Sequence, residues 1–158
     1  MGEFNFKQKP SGAFKWFLHV PTWLYRGHLG LLMGNQFIMI EHLGRKSGTL
    51  YRTVLEVVGR YPDKDEWMVA SGTGPKADWY RNLQAGTLQA VWVGSKRSDA
   101  SVRFLDAEES GFVFHGYETA HAKTASKLMK LMGVSYDGTE DGRVEMMRGI
   151  PIVSFTLA

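Results

Sequence analysis

The sequence predicts an α+β fold that is mainly β: a barrel of about six short, antiparallel-rich strands with helices packed outside it. Three observations lead to this prediction. The 158 residues are 44% hydrophobic, which suits a folded chain with a core. Short apolar runs rich in β-branched residues are separated by turn-forming residues. A sheet of this size removes its unpaired edges by closing on itself.

We expect residues 1–158 to form a single domain. Residues 1–20 are interpreted as an N-terminal extension and residues 21–33 as a helix, because Pro21 suits a first helical turn and Gly34 stops the segment. No linker, repeat or low-complexity segment divides the sequence.

The middle of the chain predicts three strands joined by two turns. The run from Gln36 to His42 is short, apolar and β-branched, as in a buried strand. Residues 50–58 alternate, with Arg52 and Glu56 on one face and Leu55 on the other. Turn-forming residues and a further apolar run predict the remaining features, which are turns at Gly44 to Thr49 and Tyr61 to Asp65 and a strand at Trp67 to Ser71.

The second half of the chain combines helices with three strands. Residues 77–84 predict a short helix, and Asp106 with Glu109 has the spacing of a capping box that starts another. Leu88 to Val93 is expected to pair with Ser101 to Leu105 across a polar turn. The last elements are a helix over Thr119 to Met132, ending at Gly133, and a closing strand over Pro151 to Leu157.

Charge and composition narrow the functional classes. Lys and Arg number 19 against 16 Asp and Glu, a net charge of +3 that favours a small anionic ligand and is too small to argue for nucleic acid. The absence of cysteine excludes disulfides, iron–sulfur ligation and a thiol nucleophile, and agrees with a cytoplasmic protein. The histidines lack metal-ligand spacing, so no metal site is expected.

The N-terminal segment is rich in aromatic and basic residues. Charged residues and Pro21 interrupt it, so we expect neither a signal peptide nor a transmembrane helix here. Two interpretations stay open, a peripheral contact with the inner face of the cell membrane and a helix packed over one end of the barrel. The residues concerned are Phe4, Phe6, Phe14, Trp16, Phe17, Trp23, Leu24 and Tyr25, with Lys7, Lys9, Lys15 and Arg26.

Two polar turns carry the strongest functional signal. Gly44 to Gly48 reads Gly-Arg-Lys-Ser-Gly, which combines two cations, a hydroxyl group and exposed backbone N–H groups, as a phosphate requires. One hairpin later, Ser71 to Lys76 forms a glycine-rich turn that leads into an aromatic helix. Glycine backbone and aromatic side chains suit a flat ring.

The sequence around these turns resembles the deazaflavin-dependent nitroreductase family. The resemblance rests on the Gly-Arg-Lys-Ser-Gly turn, Arg52-Thr53, Ala70-Ser71-Gly72 and Trp79-Tyr80-x-Asn82-Leu83, and extends to Tyr25 to Gly34 and Arg148 to Val153. It implies a split β-barrel of the flavin-reductase and pyridoxamine-phosphate-oxidase type. It also implies coenzyme F-420, an 8-hydroxy-5-deazaflavin, with FMN as the alternative cofactor.

Carried over by position, the resemblance assigns roles to individual residues. Those that would hold the phosphate and acidic tail of the coenzyme are Arg45, Lys46, Ser47 and Gly48, assisted by Arg52 and Thr53. Those that would line the ring are Ser71, Gly72 and Thr73, and those that would close its pocket are Trp79, Tyr80 and Asn82. Thr49-Leu50-Tyr51 and Glu56 depart from the family pattern.

The implied reaction is transfer of a hydride from the reduced coenzyme to a hydrophobic acceptor such as a quinone or nitroaromatic. Candidate proton donors, which would be the catalytic residues, are Ser71 and Tyr117, with His115 as a third. The alternatives are a non-catalytic deazaflavin carrier, a peripheral lipid-binding module and an FMN-dependent reductase of the same fold. The chain is expected to be a monomer or a homodimer.

Overall fold

A computed structural model describes residues 36–158. The strands are β1 (Phe37–Leu43), β2 (Leu50–Tyr61), β3 (Glu66–Ala70), β4 (Leu88–Val93), β5 (Lys96–Ser98), β6 (Ala100–Phe104) and β7 (Ile152–Leu157). The helices are α1 (Asp78–Gln84), α2 (Ala107–Ala120), α3 (Ala122–Met132) and α4 (Glu140–Met147). The predicted helix at 21–33 and the aromatic N-terminal segment lie outside the described residues.

The strands form one antiparallel sheet in the order β5-β4-β1-β2-β3-β7-β6. Strands β5 and β6 lie at opposite edges of this sheet, yet only Asp99 separates them in the chain. A single residue cannot cross a flat sheet, so the sheet must curl until its edges approach each other. The antiparallel barrel is therefore confirmed, with one strand more than expected.

The predicted pairing of residues 88–93 with residues 101–105 is wrong. Strand β4 pairs instead with the short strand β5 across the Gly94-Ser95 turn, while β6 pairs with β7. The sequence signal failed because β5 is three polar residues long, too short and too hydrophilic for an apolar pattern. Tertiary pairing then placed β6 beside the C-terminal strand.

The structure confirms the predicted cap of α2 and the predicted end of α3, but one predicted helix begins later than expected. Asp106 caps α2 by accepting a hydrogen bond from the backbone N–H of Glu109, at 2.8 Å. Gly133 ends α3 in the left-handed conformation. The helix predicted from Thr119 instead begins at Ala122, because α2 runs on to Ala120.

Two apolar clusters position the elements that matter for function. Leu55 and Val57 of β2 lie in the cluster inside the barrel, whereas Val58 packs against a second cluster on the outer face. Helix α2 covers that outer face and lies close to β2 at Gly59, where an added Cβ would come within 2.9 Å of Val113. No helix in residues 36–158 is long and apolar enough to cross a bilayer.

Candidate functional site

The turn between β1 and β2 offers free hydrogen-bond donors. It is closed by Gly44 N–H donating to the Thr49 carbonyl at 2.8 Å and by Gly48 N–H donating to the Gly44 carbonyl at 2.9 Å. Gly48 has a φ of +68°, which side chains disfavour. Within the described chain, the backbone N–H groups of Lys46 and Ser47 and the Lys46 ammonium have no hydrogen-bond partner. These exposed donors can bind an anion by donating hydrogen bonds to it.

Arg45 anchors this turn to helix α1. Its backbone N–H donates to Asn82 Oδ1 at 3.1 Å, and its guanidinium donates to the same oxygen at 2.9 Å. The guanidinium also forms an ion pair with Asp78 at 3.3 Å. The structure therefore brings Arg45 and Asn82 together, and much of the donor capacity of Arg45 is used within the protein.

A buried histidine continues this network into the barrel. Asn82 Oδ1 already accepts from Arg45, so its amide nitrogen donates to His42 Nδ1 at 3.1 Å. His42 Nε2 must then carry the proton and donate to Thr53 Oγ1 at 2.9 Å. Burial lowers the pKa of His42, which agrees with a neutral imidazole. Thr53 thus supports the turn through His42 and Asn82.

The second predicted loop follows β3. Ser71 is fully buried, and its hydroxyl donates to the Gly74 carbonyl at 2.6 Å while the Gly74 N–H donates back to the Ser71 carbonyl at 2.9 Å. Among residues 36–158, the backbone N–H groups of Gly72 and Thr73 have no acceptor, and both residues are half-buried. The loop can therefore offer backbone donors, whereas the Ser71 proton is already engaged.

Trp79 and Tyr80 lie in the barrel core. They are 9% and 7% exposed and belong to the inner cluster, and Tyr80 makes an edge-to-face contact with Phe104 at 5.4 Å between ring centroids. Burial raises the pKa of Tyr80. These two rings anchor α1 and so fix the position of Asn82, which lies two residues after Tyr80.

Arg52 is paired across the sheet. Its Nε donates to the buried carboxylate of Glu41 at 3.3 Å, and Glu41 also accepts from Arg97 at 3.3 Å and from Trp92 at 2.9 Å. Burial opposes ionisation of Glu41, but these hydrogen bonds prevail and lower its pKa. Arg52 is half-buried, so part of its guanidinium remains available to a ligand.

Tyr117 lies on α2 against the outer face of β2. Its hydroxyl donates to Glu56 Oε1 at 3.1 Å, and its ring lies 5.3 Å from the ring of His121. Burial, then the charge of Glu56 and their hydrogen bond, raise the pKa of Tyr117. His115, the third candidate donor, is exposed on the same helix.

Sequence reasoning missed His42 and Asp78 as parts of the site, and it noted Glu56 only as a departure from the family pattern. A signal existed for His42, because Ile38, Ile40 and His42 share the inward face of β1 at a period of two. None existed for Asp78, whose role depends on where Arg45 folds. Among residues 36–158 no group of three or more metal-ligating side chains comes together.

Several solved structures resemble this chain in fold. A solved structure of an F420-H2 dependent reductase is 19% identical, covers 77% of this chain and 95% of its own, and superposes with a TM-score of 0.51. A structure described as a domain-swapped dimer is also 19% identical, covering 85% and 98%, with a TM-score of 0.50.

A third solved structure is a pyridoxamine 5'-phosphate oxidase-related, FMN-binding protein from Nostoc punctiforme. It is 12% identical, covers 97% of this chain and 83% of its own, and has a TM-score of 0.50. At these identities the likeness shows the fold, and it confirms the split barrel. A search of curated proteins found no match.

The sequence profile described as F420H(2)-dependent quinone reductase matches residues 19–139, a span that holds both polar turns and Tyr117. This match confirms the resemblance that the turns carry and the cofactor that they imply. The chain belongs to the F420H(2)-dependent quinone reductase family and is an oxidoreductase that uses coenzyme F-420.

Proposed function

We propose that this enzyme reduces quinones or nitroaromatic compounds and holds the acidic tail of coenzyme F-420 on the turn at residues 44–49. The observation that carries the proposal is the Lys46 ammonium beside two backbone N–H groups, none of which has a hydrogen-bond partner within residues 36–158. Phosphate binds to such a combination of charge and directed donors. The residues present therefore fit this coenzyme.

The other site residues have graded roles in this proposal. Arg45 and Asn82 shape the turn, because they are bonded to each other. Arg52 adds positive charge from β2, reduced by its pairing with Glu41. Ser71 closes the loop whose Gly72 and Thr73 N–H groups would contact the ring, and Trp79 and Tyr80 hold α1 in place.

When bound, the reduced coenzyme supplies a hydride. The protein holds the coenzyme and the acceptor together, excludes water and provides a proton. Two measurements test this function. Fluorescence titration of the purified protein with oxidised coenzyme F-420 and with FMN should give tighter binding of F-420, and menadione should be reduced when reduced F-420 is supplied. Failure of both would refute the proposal.

Lys46→Ala should weaken binding of coenzyme F-420 by about 10–100-fold, because it removes a charge-assisted contact of roughly 1.5–3 kcal/mol. Fluorescence titration measures the dissociation constant. Lys127→Ala is the matched control, since Lys127 is exposed on α3 and should leave binding unchanged. Equal dissociation constants for wild type and Lys46→Ala would contradict the assignment of the turn.

We also propose that the aromatic and basic N-terminal segment contacts anionic lipid, which would bring the enzyme to hydrophobic quinones. Its alternating rings and cations support this idea. Full-length protein should float with vesicles containing phosphatidylglycerol, and a variant beginning at Gly34 should not. Equal flotation would refute the membrane contact.

Because one structural neighbour is described as a domain-swapped dimer, we propose that this protein forms a homodimer. Light scattering measures the molar mass in solution and so tests this proposal.

A further inference from the structure

We propose that Glu56 is the acid that protonates the acceptor during its reduction, and that Tyr117 positions the Glu56 carboxyl group. This inference rests on the proposed function and names a catalytic residue that departs from the family pattern. Three structural observations carry it: the place of Glu56 in the sheet, its hydrogen bonding and its surroundings.

The register of the sheet puts Glu56 beside the loop at residues 71–74. Val57 pairs with Val69, so the residue before Val57 lies level with the residue after Val69, which is Ala70. The loop starts at the next residue. Leu55 and Val57 face the barrel interior, so Glu56 faces outward under α2.

Within residues 36–158, one oxygen of the Glu56 carboxyl group is occupied. Oε1 accepts the hydrogen bond from Tyr117 at 3.1 Å. Oε2 has no hydrogen-bond partner in this part of the chain, and Glu56 is half-buried. Tyr117 is itself held by the outer apolar cluster, which also includes Ala70 and Ile152. This arrangement presents Oε2 in a fixed direction.

The surroundings favour the protonated carboxyl group. Burial raises the pKa of Glu56, and the hydrogen bond from Tyr117 and the charge of His121 offset this only in part. Within residues 36–158, the titratable groups that act on this carboxyl are Tyr117 on α2 and His121 at its end. Strand β1 pairs Phe37 with Glu56, and Ala70 of β3 is level with it by extension of the register. Tyr117, with its raised pKa, is a poor acid at neutral pH.

The proposed step balances for a quinone. The acceptor gains a hydride from the reduced coenzyme and a proton from Glu56 Oε2, so it receives two electrons and leaves as the hydroquinone. The coenzyme is oxidised by two electrons and its other proton goes to solvent. Glu56 is left as a carboxylate, which solvent reprotonates.

The experiment measures menadione reduction from pH 5 to 9 for wild type, Glu56→Gln, Glu56→Asp and Tyr117→Phe, with exposed Glu108→Gln on α2 as control. The rate of wild type should fall at high pH, where Glu56 loses its proton. We expect Glu56→Gln to lower kcat about 100-fold, because general acid catalysis contributes that much. This variant should also lack the fall in rate at high pH. The dissociation constant of the coenzyme should stay within about twofold. Glu56→Asp should retain part of the rate, and Glu108→Gln all of it.

A second readout needs no coenzyme. The carboxyl carbons of 13C-labelled glutamate are titrated by NMR, with Glu56→Gln identifying the Glu56 signal. Its midpoint should coincide with the fall in rate at high pH, and both should move to higher pH in Tyr117→Phe, because that variant loses the hydrogen bond to the carboxylate. A merely structural role of Tyr117 would not move both together.

The possible outcomes test the proposed function and the role of Glu56 separately. If wild type neither binds F-420 nor reduces menadione, the proposed function fails. If wild type is active but Glu56→Gln keeps its rate within about threefold and keeps its pH profile, the assignment of Glu56 is overturned. Loss of the high-pH fall in Tyr117→Phe but not in Glu56→Gln would assign the proton to Tyr117 and would also overturn it.

Discussion

Replacing Asn82 with alanine should lower the free energy of unfolding by about 2–4 kcal/mol, because it leaves buried polar groups without partners. Asn82 is 2% exposed. Its amide accepts from the backbone and guanidinium of Arg45 and donates to His42. Without it, His42 Nδ1 and the Arg45 N–H lose their partners inside the protein. Urea unfolding at pH 7 measures the change.

The same substitution should also weaken coenzyme binding about tenfold or more, since the turn keeps only the Arg45–Asp78 ion pair to α1 and loses the two hydrogen bonds to Asn82 that fix its shape. Gln84→Ala is the control, because Gln84 is an exposed residue of the same helix. It should change stability by no more than roughly 0.5 kcal/mol. A loss below about 1 kcal/mol in Asn82→Ala would show that the network contributes little.

Arg103→Ala should lower the free energy of unfolding by about 2–3 kcal/mol at pH 7. Breaking a fully buried pair costs about 3–5 kcal/mol, and half of the Arg103 side chain is exposed, which reduces the effect. Arg103 donates at 2.7 Å to Glu66, a carboxylate that is 5% exposed and also accepts from Ser154 at 2.5 Å. A second contact joins Arg103 to Glu109 in the first turn of α2.

The effect of Arg103→Ala should shrink in acid. The hydrogen bonds from Ser154 and Arg103 lower the pKa of Glu66 below its ordinary value of 4.5. A carboxyl group with a lowered pKa in the folded state stabilises the fold above its ordinary pKa, and this contribution is lost as the pH falls through 4.5 and below. Urea unfolding between pH 7 and 3 should therefore bring variant and wild type together.

The exposed ion pair of Arg148 with Glu145 provides the control for this experiment. Its partners are 3.0 Å apart with side chains 63% and 49% exposed, so Arg148→Ala should cost less than about 1 kcal/mol at any pH. If Arg103→Ala is as mild as Arg148→Ala, or equally destabilising at pH 3 and 7, the buried pair does not stabilise the sheet as described.

The local chemistry of the turns and helix ends was predictable because it depends on neighbouring residues. Asp106 capped α2 and Gly133 ended α3 as their spacing predicted. The inward alternation of β2 was also correct. In contrast, β5 escaped prediction, because three polar residues carry no apolar pattern, and its absence led to the wrong partner for β4.

For the candidate site, too, some features were predictable from the sequence and others were not. The sequence by itself determined which residue types are present: a cationic glycine turn, a second polar loop, and the motifs that identify a coenzyme F-420 family. Only the tertiary structure decided which of these groups are already paired. Arg45 is bonded to Asn82 and Asp78, whereas Lys46 is not, although the two are adjacent in the chain.

The physical reason is that a side chain's availability depends on partners distant in sequence. Asn82 lies 37 residues after Arg45, and Tyr117 lies 61 residues after Glu56. Such contacts form only when the barrel closes and α1 and α2 pack against it. A local pattern therefore identifies chemical groups, whereas packing decides which of them remain free to bind a ligand or donate a proton.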